Sequence, residues 1–270
     1  MKLEAKNLSF SYIKGVPVFT DISFTLDKGD VFCILGQNGA GKSTLLSCIG
    51  RLFEVNSGKI LVDGQDIAQM GRMEIAKKIG YIPQFHAPVF PYEVIDFVLM
   101  GRTPHIGALS SPSKEDREIA KNAIEEVGIT HLSRKPYSEI SGGEKQLVMF
   151  AKVLAQEPEI VLLDEPTSHL DFGNQFKILN MIEDLSCRGF SVVMTSHFPD
   201  HSFLVSNKVG VMKGHHFIDM GPANDVITEH NMQQTYGLDV KIVYIEQAGR
   251  KVCVPLKNNG NTKPSNFKDM

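Results

Sequence analysis

No run of apolar residues approaches the roughly 18 needed to cross a bilayer, so the chain is not expected to span a membrane, although it remains free to bind something that does. The start of the chain, Met1-Lys2-Leu3-Glu4-Ala5-Lys6, has no apolar h-region, and a signal peptide is not expected. Cysteine is scarce: Cys33, Cys48, Cys187 and Cys253 are scattered and none sits in a CxxC pair. Neither a zinc site nor a disulfide framework is expected, and the four thiols read as reduced and cytosolic. Cys33 lies in an apolar run and reads as a small buried hydrophobe. There is no excess of either charge: 28 basic residues face 31 acidic ones, for a net charge of −3. That balance carries no footprint of general nucleic-acid binding. Gly (23) and Pro (13) are near average, which excludes collagen-like and low-complexity classes, and no internal repeat is visible. What remains is an ordinary globular composition, 42% hydrophobic and 22% charged, over 270 residues. That length holds one or two domains with a substantial core.

Patterning along the chain alternates strands and helices. Residues 3–12 and 18–26 read as strands closed by Lys14-Gly15 and Lys28-Gly29 turns. Val31-Phe32-Cys33-Ile34-Leu35 reads as a fully buried strand that runs into glycines and then a helix from Lys42. Residues 58–62 and 79–82 are further strands. Residues 91–136 differ: Ile119, Ala120, Ala123, Ile124 and Val127 recur at helical spacing between prolines, a helical insertion in a sheet-based protein. A helix over 142–156, a strand over 160–163, a helix over 174–187 and a strand over 190–195 follow. Such alternation implies a parallel sheet with crossover helices. Residues 208–254 read as short strands and two short helices. Residues 257–270, rich in Asn, Lys and Gly, read as a disordered tail.

Three stretches carry chemistry. Gly36-Gln37-Asn38-Gly39-Ala40-Gly41-Lys42-Ser43-Thr44 fits G-x-x-x-x-G-K-[S/T] between a buried strand and a helix. Its glycines let backbone N–H groups curl around phosphate oxygens, and the helix N-terminus adds its dipole. Lys42 would reach the β and γ phosphates, and the Ser43 hydroxyl would ligate Mg²⁺. The second stretch, Ile160-Val161-Leu162-Leu163-Asp164-Glu165, ends a buried strand in two acids, at the end of a parallel strand where ligand sites lie. Asp164 suits Mg²⁺ through a water, and Glu165 could polarise an attacking water. These two stretches alone allow a kinase, GTPase, helicase or transport ATPase. The third, Ile140-Ser141-Gly142-Gly143-Glu144-Lys145-Gln146, discriminates. Ser141 is a good N-cap and the glycines leave backbone amides open, a second phosphate-binding helix start. By itself it would read as an ordinary capped helix.

Together these motifs resemble the nucleotide-binding subunit of ATP-binding-cassette (ABC) transporters over residues 1–240. Ser141–Gly143 matches that family's signature, with Ile140 in place of its usual Leu and Glu144 in place of its usual Gln. The resemblance implies an α/β P-loop NTPase of the ABC ATPase type. Its core sheet is mostly parallel, with an N-terminal antiparallel β subdomain and a helical subdomain over 91–156; C-terminal strands would occupy 241–256. It assigns Tyr12 to stacking on adenine. It assigns Gln84, after the strand ending Tyr81-Ile82-Pro83, to sensing Mg²⁺ and the attacking water. It assigns Ser168-His169-Leu170-Asp171 to a loop that crosses to a partner subunit, and His197 to the γ-phosphate. ATP and Mg²⁺ are the implied cofactors. Ser141 and Gly143 of one copy would close over ATP held by the P-loop of another, in a head-to-tail dimer.

The run Gly101-Arg102-Thr103-Pro104-His105 after an apolar helix is similar to importers of iron–siderophore, haem and cobalamin, and to molybdate- and tungstate-importing relatives. The resemblance then implies integral-membrane permease subunits as partners, a periplasmic or external cargo-binding protein acting indirectly, and a place on the cytoplasmic face of the membrane. Phe85, Phe90, Tyr92 and Phe97 sit where a membrane partner would dock, with Phe97 expected in the subdomain's own core. With only a short stretch beyond His197, an added regulatory domain is not expected. The alternative is a soluble ABC-type ATPase without a transport role, such as a cluster-assembly factor.

Overall fold

The computed structural model describes residues 1–84, 91–107 and 109–257. The first layer is an antiparallel sheet of β1 (Leu3–Phe10), β2 (Phe19–Leu26), β4 (Ser57–Val62) and β5 (Gln65–Asp66), in the order β2-β1-β4-β5. Between its hairpin and its later strands the chain enters the second layer through β3 (Val31–Gly36) and α1 (Lys42–Ile49). After β5 come α2 (Arg72–Lys78) and β6 (Ile79–Ile82), then α3 (Val94–Leu99), α4 (Lys114–Glu126) and α5 (Gly142–Gln156). The chain returns through β7 (Ile160–Leu163), α6 (Phe172–Cys187), β8 (Ser191–Ser196), α7 (Pro199–Val205), β9 (Lys208–Lys213) and β10 (His216–Gly221). Two short helices, α8 (Ala223–Val226) and α9 (Glu229–Tyr236), lead to a hairpin of β11 (Val240–Ile245) and β12 (Arg250–Pro255). The second sheet has the order β10-β9-β3-β8-β7-β6; all neighbours in it are parallel except β10, which returns antiparallel to β9.

The central strands are apolar throughout because both faces are covered. All six residues of β3 are buried, and so are the four of β7. Successive side chains of a strand point to opposite faces. Accordingly, Val31, Cys33 and Leu35 enter one core with the helices, while Phe32 and Ile34 enter another with the antiparallel sheet. β7 divides likewise, with Val161 and Leu163 on one side and Ile160 and Leu162 on the other. Cys33 is fully buried, and burial pushes its thiol up to about 12, so it is no reactive thiolate.

The insertion owes its packing to the Gly101–His105 run. A Cβ on Gly101 would stand 2.2 Å from the Lys152 carbonyl oxygen, so the turn lies flush on α5. Arg102, 6% exposed, bonds Asp116 (3.0 Å), the Ala155 carbonyl (2.8 Å) and Glu157 (2.6 Å). It thereby ties α3, α4 and the end of α5 into one unit. Phe97 is buried and stacks on Tyr137 with ring centroids 4.2 Å apart. Tyr92 is partly exposed; Phe85 and Phe90, the other candidate docking aromatics, lie outside the described residues, as do 258–270 of the expected tail.

Candidate functional site

Four neighbouring parallel strands, β6, β7, β8 and β3, deliver their carboxyl ends to one edge of the sheet. That edge carries Gln84 after β6, Asp164 and Glu165 after β7, His197 after β8, and Gly36–Thr44 after β3. Convergence of this kind is what open α/β sheets use for ligands.

Helix α1 starts without a side-chain cap: its N-cap, Gly41, is left-handed (φ 98°), and no acid stands in the first turn. The first amides of the helix are therefore free for an anion, and the dipole favours one. Lys42 is 4% exposed; its Nζ donates to the carbonyls of Gly36 (2.8 Å) and Gln37 (3.1 Å) and lies 3.4 Å from Glu165 Oε1. A buried ammonium held across the loop is positioned to exchange those partners for phosphate oxygens. The Ser43 hydroxyl donates to Asp164 Oδ1 (2.9 Å), and Thr195 Oγ1 donates to the same oxygen (2.7 Å). Thr195 Oγ1 in turn accepts from the Glu165 backbone N–H (2.8 Å).

Glu165 is the hub. Its Oε2 accepts from Gln84 Nε2 (2.9 Å) and Ser168 Oγ (3.0 Å) and lies 3.5 Å from His197 Nδ1. Its backbone is left-handed (φ 45°), a costly conformation for a side-chain-bearing residue and one that clusters at functional sites. A cavity of about 500 Å³ runs from Tyr12 and Val18 along the loop to Gln84 and Glu165. Tyr12, 61% exposed, stands at its outer end; its hydroxyl lies 3.1 Å from Thr44 Oγ1 and its ring meets Phe10 and Phe53 edge-on. The ring is therefore propped with a face available for stacking.

The donors also fit a hard cation. Ser43 and Asp164 bring a hydroxyl and a carboxylate together next to Lys42. Among the described residues no cluster of three His, Cys, Asp or Glu could hold a metal alone. A cation here would draw its remaining ligands from phosphates and water, as Mg²⁺ does.

Not every predicted site residue joins this centre. Ser141, Gly142 and Gly143 do not line the cavity. Ser141 opens α5 with a capping box: its Oγ accepts from Glu144 N (3.3 Å), and Glu144 Oε2 accepts from Ser141 N (2.8 Å). Those bonds hold the Glu144 carboxyl below its usual range. Asp171 caps α6, accepting from the backbone N (2.8 Å) and side-chain Nδ2 (2.7 Å) of Asn174. Sequence reasoning missed the roles of Thr195 and Asn174, and it read Ser168 only as part of the loop facing a partner, not as a donor to Glu165. Thr195 is one hydroxyl in a buried strand, and only the pairing of β7 with β8 places it between Asp164 and Glu165.

Comparison with known proteins agrees with this geometry. The model of the ABC transporter family matches residues 19–168. The chain is 35% identical, over 87% of its length and 88% of the relative's, to the molybdate import ATP-binding protein MolC of Haemophilus influenzae. It is 32% identical, over 93% of its length and 94% of the relative's, to the iron(3+)-hydroxamate import ATP-binding protein FhuC of Bacillus subtilis. A chain of a metal-chelate type ABC transporter in an inward-facing conformation superposes with a TM-score of 0.83 at 33% identity, covering 94% of this chain and 97% of that one. With the phosphate loop, the acidic strand end and the second helix start all in place, the chain belongs to the ABC transporter family, as an ATP-binding and ATP-hydrolysing subunit.

Proposed function

We propose that two copies of this chain bind two ATP molecules head to tail and drive an importer for a metal chelate or a related oxyanion such as molybdate. The observation that carries the dimer is the separation of the two helix starts read as phosphate-binding, those of α1 and α5. The first has a complete catalytic edge beside it; the second, at Ser141–Gly143, has none and does not line the same cavity. A second anion site is redundant in one chain unless it serves another copy's nucleotide. The names of the relatives and the metal-chelate type of the transporter support the cargo class. The permease is the implied partner, placing the chain on the cytoplasmic face of the membrane.

In this reading Tyr12 stacks on the base, residues 36–44 cradle the phosphates, and Lys42 neutralises β and γ charge. Ser43, Asp164 and Gln84 would hold Mg²⁺, which when bound spreads the charge developing on the transferring phosphate. Glu165 takes a proton from the attacking water as the water oxygen bonds the γ-phosphorus and the bond to the β-phosphate oxygen breaks. Gln84 and Ser168 fix the carboxylate, and His197 contacts the γ-phosphate from the β8 side. Asp171 and Ser168–Leu170 face the partner copy.

The test mixes two inactive variants, Lys42→Ala and Ser141→Arg. A mixed head-to-tail dimer has one site with both defects and one with neither, so ATP hydrolysis is expected to return on mixing. A mixture that stays inactive although the mixed dimer forms overturns the composite site. Co-purification with an integral membrane protein from solubilised membranes is the matching check on the transport reading.

A further inference from the structure

Two loops hold the reacting end of the site. One follows β7 and carries Glu165; the other follows β8 and carries His197. They come from different strands, and the left-handed Glu165 lies outside any helix or strand. Its N–H is tied to Thr195 of β8 (2.8 Å) and its carbonyl to the Ser168 N–H (3.0 Å), which leaves the turn beyond it to be held from elsewhere. A buried hydrogen bond crosses from one loop to the element that follows the other. Thr167, two residues after Glu165 and 3% exposed, has its Oγ1 3.1 Å from Nδ1 of His201, which is 8% exposed. His201 sits on α7, the helix that begins two residues after His197. The Phe198 ring lies between the imidazoles, with centroids 4.0 Å from His197 and 4.9 Å from His201. On its other side α7 is pinned to the C-terminal hairpin, where Asp200 Oδ1 accepts the Cys253 backbone N–H (2.8 Å).

We propose that His201 is a positioning residue for ATP hydrolysis: through Thr167 it holds the Glu165 loop in register with His197. The proposal rests on the roles given above to Glu165 and His197. The physical case is that a buried imidazole is costly unless its nitrogens are bonded. An apolar side chain would fill α7 at less cost, but it would leave the Thr167 hydroxyl buried without this partner. Burial pushes the His201 imidazole down to about 4, so at neutral pH it is an uncharged hydrogen-bonding group, not a counter-charge. Its contribution is therefore geometric. Small misplacements of a catalytic group cost rate far more than they cost substrate affinity, and the nucleotide is held mainly by the loop at 36–44, which His201 does not touch.

The experiment measures steady-state ATP hydrolysis of the full chain, with nucleotide binding and thermal melting recorded for each variant. His201→Leu is expected to lower kcat by about tenfold or more while the KM for ATP stays within about twofold. His201→Asn, which places a polar atom near the position of Nδ1, is expected to recover most of that loss. Thr167→Val removes the same bond from the other side without touching the imidazole. The double variant His201→Leu/Thr167→Val is expected to be no worse than either single one, because both remove a single interaction. Full turnover in folded His201→Leu, or additive losses with no rescue by Asn, would overturn the proposal. Glu165→Gln is assayed alongside. If it remains active, the role of the loop itself is wrong; if it is inactive while His201→Leu is unimpaired, only the positioning role fails.

Discussion

Helix α1 begins after Gly41 and helix α5 begins with Gly142 and Gly143, and both read as phosphate sites, yet the fold treats their first turns in opposite ways. At α1 the N-cap is Gly41, no side chain closes the amides, and no acid stands in the first turn. At α5 Ser141 and Glu144 satisfy each other's backbone N–H groups, and Glu144 places a carboxylate where an anion would arrive. An acid in the first turn stabilises the helix through its dipole but repels phosphate. Around α1 stand Lys42, Ser43, Asp164 and Glu165; around the α5 start lie Asn174, against which Gly143 packs, and the charges of Lys135 and His131 that act on Glu144. The contrast teaches that a glycine-rich helix start becomes a catalytic site only when strand ends bring acids and a lysine to it. On the head-to-tail proposal the other is half a site, stable by itself and completed only by a nucleotide held on another copy.

The largest effect should come from disabling the complete half. Glu165→Gln keeps shape and one oxygen to accept from Gln84 and Ser168, but it removes the charge facing Lys42 and cannot take the proton. Turnover is expected to fall by about 10²–10⁴-fold, the usual contribution of a general base, with ATP binding retained. Phosphate release and nucleotide binding measured side by side check this, and unchanged turnover removes Glu165 from the mechanism.

A smaller effect is expected at the incomplete half. A Cβ on Gly143 would stand 2.8 Å from Asn174 Nδ2, and that amide is engaged with Asp171 Oδ2 at 2.7 Å. Gly143→Ala must therefore move the Asn174 side chain and loosen its bond to Asp171 Oδ2, while the cap from Asn174 N–H to Asp171 Oδ1 stays in place. Hydrolysis is expected to drop by about tenfold, corresponding to about 1.4 kcal/mol, with ATP binding to the isolated chain unchanged. A parallel loss of isolated-chain ATP binding would show that the second helix start touches the first within one molecule.

The smallest effect concerns Glu144. Gln in its place can still accept from Ser141 N, whereas Ala cannot. Glu144→Ala is expected to destabilise the chain by about 1 kcal/mol, seen as a lower melting temperature. Glu144→Gln should leave melting nearly unchanged and strengthen ATP-dependent dimerisation, since a charge facing phosphate is removed. Equal melting of the two variants would mean that the capping box does not stabilise α5.

The legibility of the site follows the same contrast. Lys42, Ser43, Asp164 and Glu165 were readable because each sits in a contiguous motif whose chemistry depends on neighbours along the chain. The helix read over 142–156 and the strand read over 160–163 coincide with α5 and β7, because uninterrupted periodicity and a short apolar run are local signals. Thr195 was not readable: it is one threonine in a strand of Val, Met and Ser, and its two bonds exist only because β8 lies beside β7. His201 was equally silent, since nothing near it in the chain indicates Thr167. The Gly101–His105 run resembled an importer feature by pattern, while the fold uses Gly101 and Arg102 as packing points against α5. The antiparallel return of β10 also left no separate mark, as a short strand has the same pattern in either direction.

What the amino-acid order determined by itself was the alternation of strands and helices, the phosphate loop, the acid pair and the glycine-opened second helix. Each is set by interactions over a few residues: apolar periodicity, backbone freedom at glycine, and capping. Tertiary structure decided which strands are neighbours, and hence that Gln84, Ser168 and His197 gather on Glu165 while Ser141 stays apart. That choice depends on burying β3, β7 and β8 on both faces at once. Such burial is a property of the whole packed sheet, and no window of the sequence contains it.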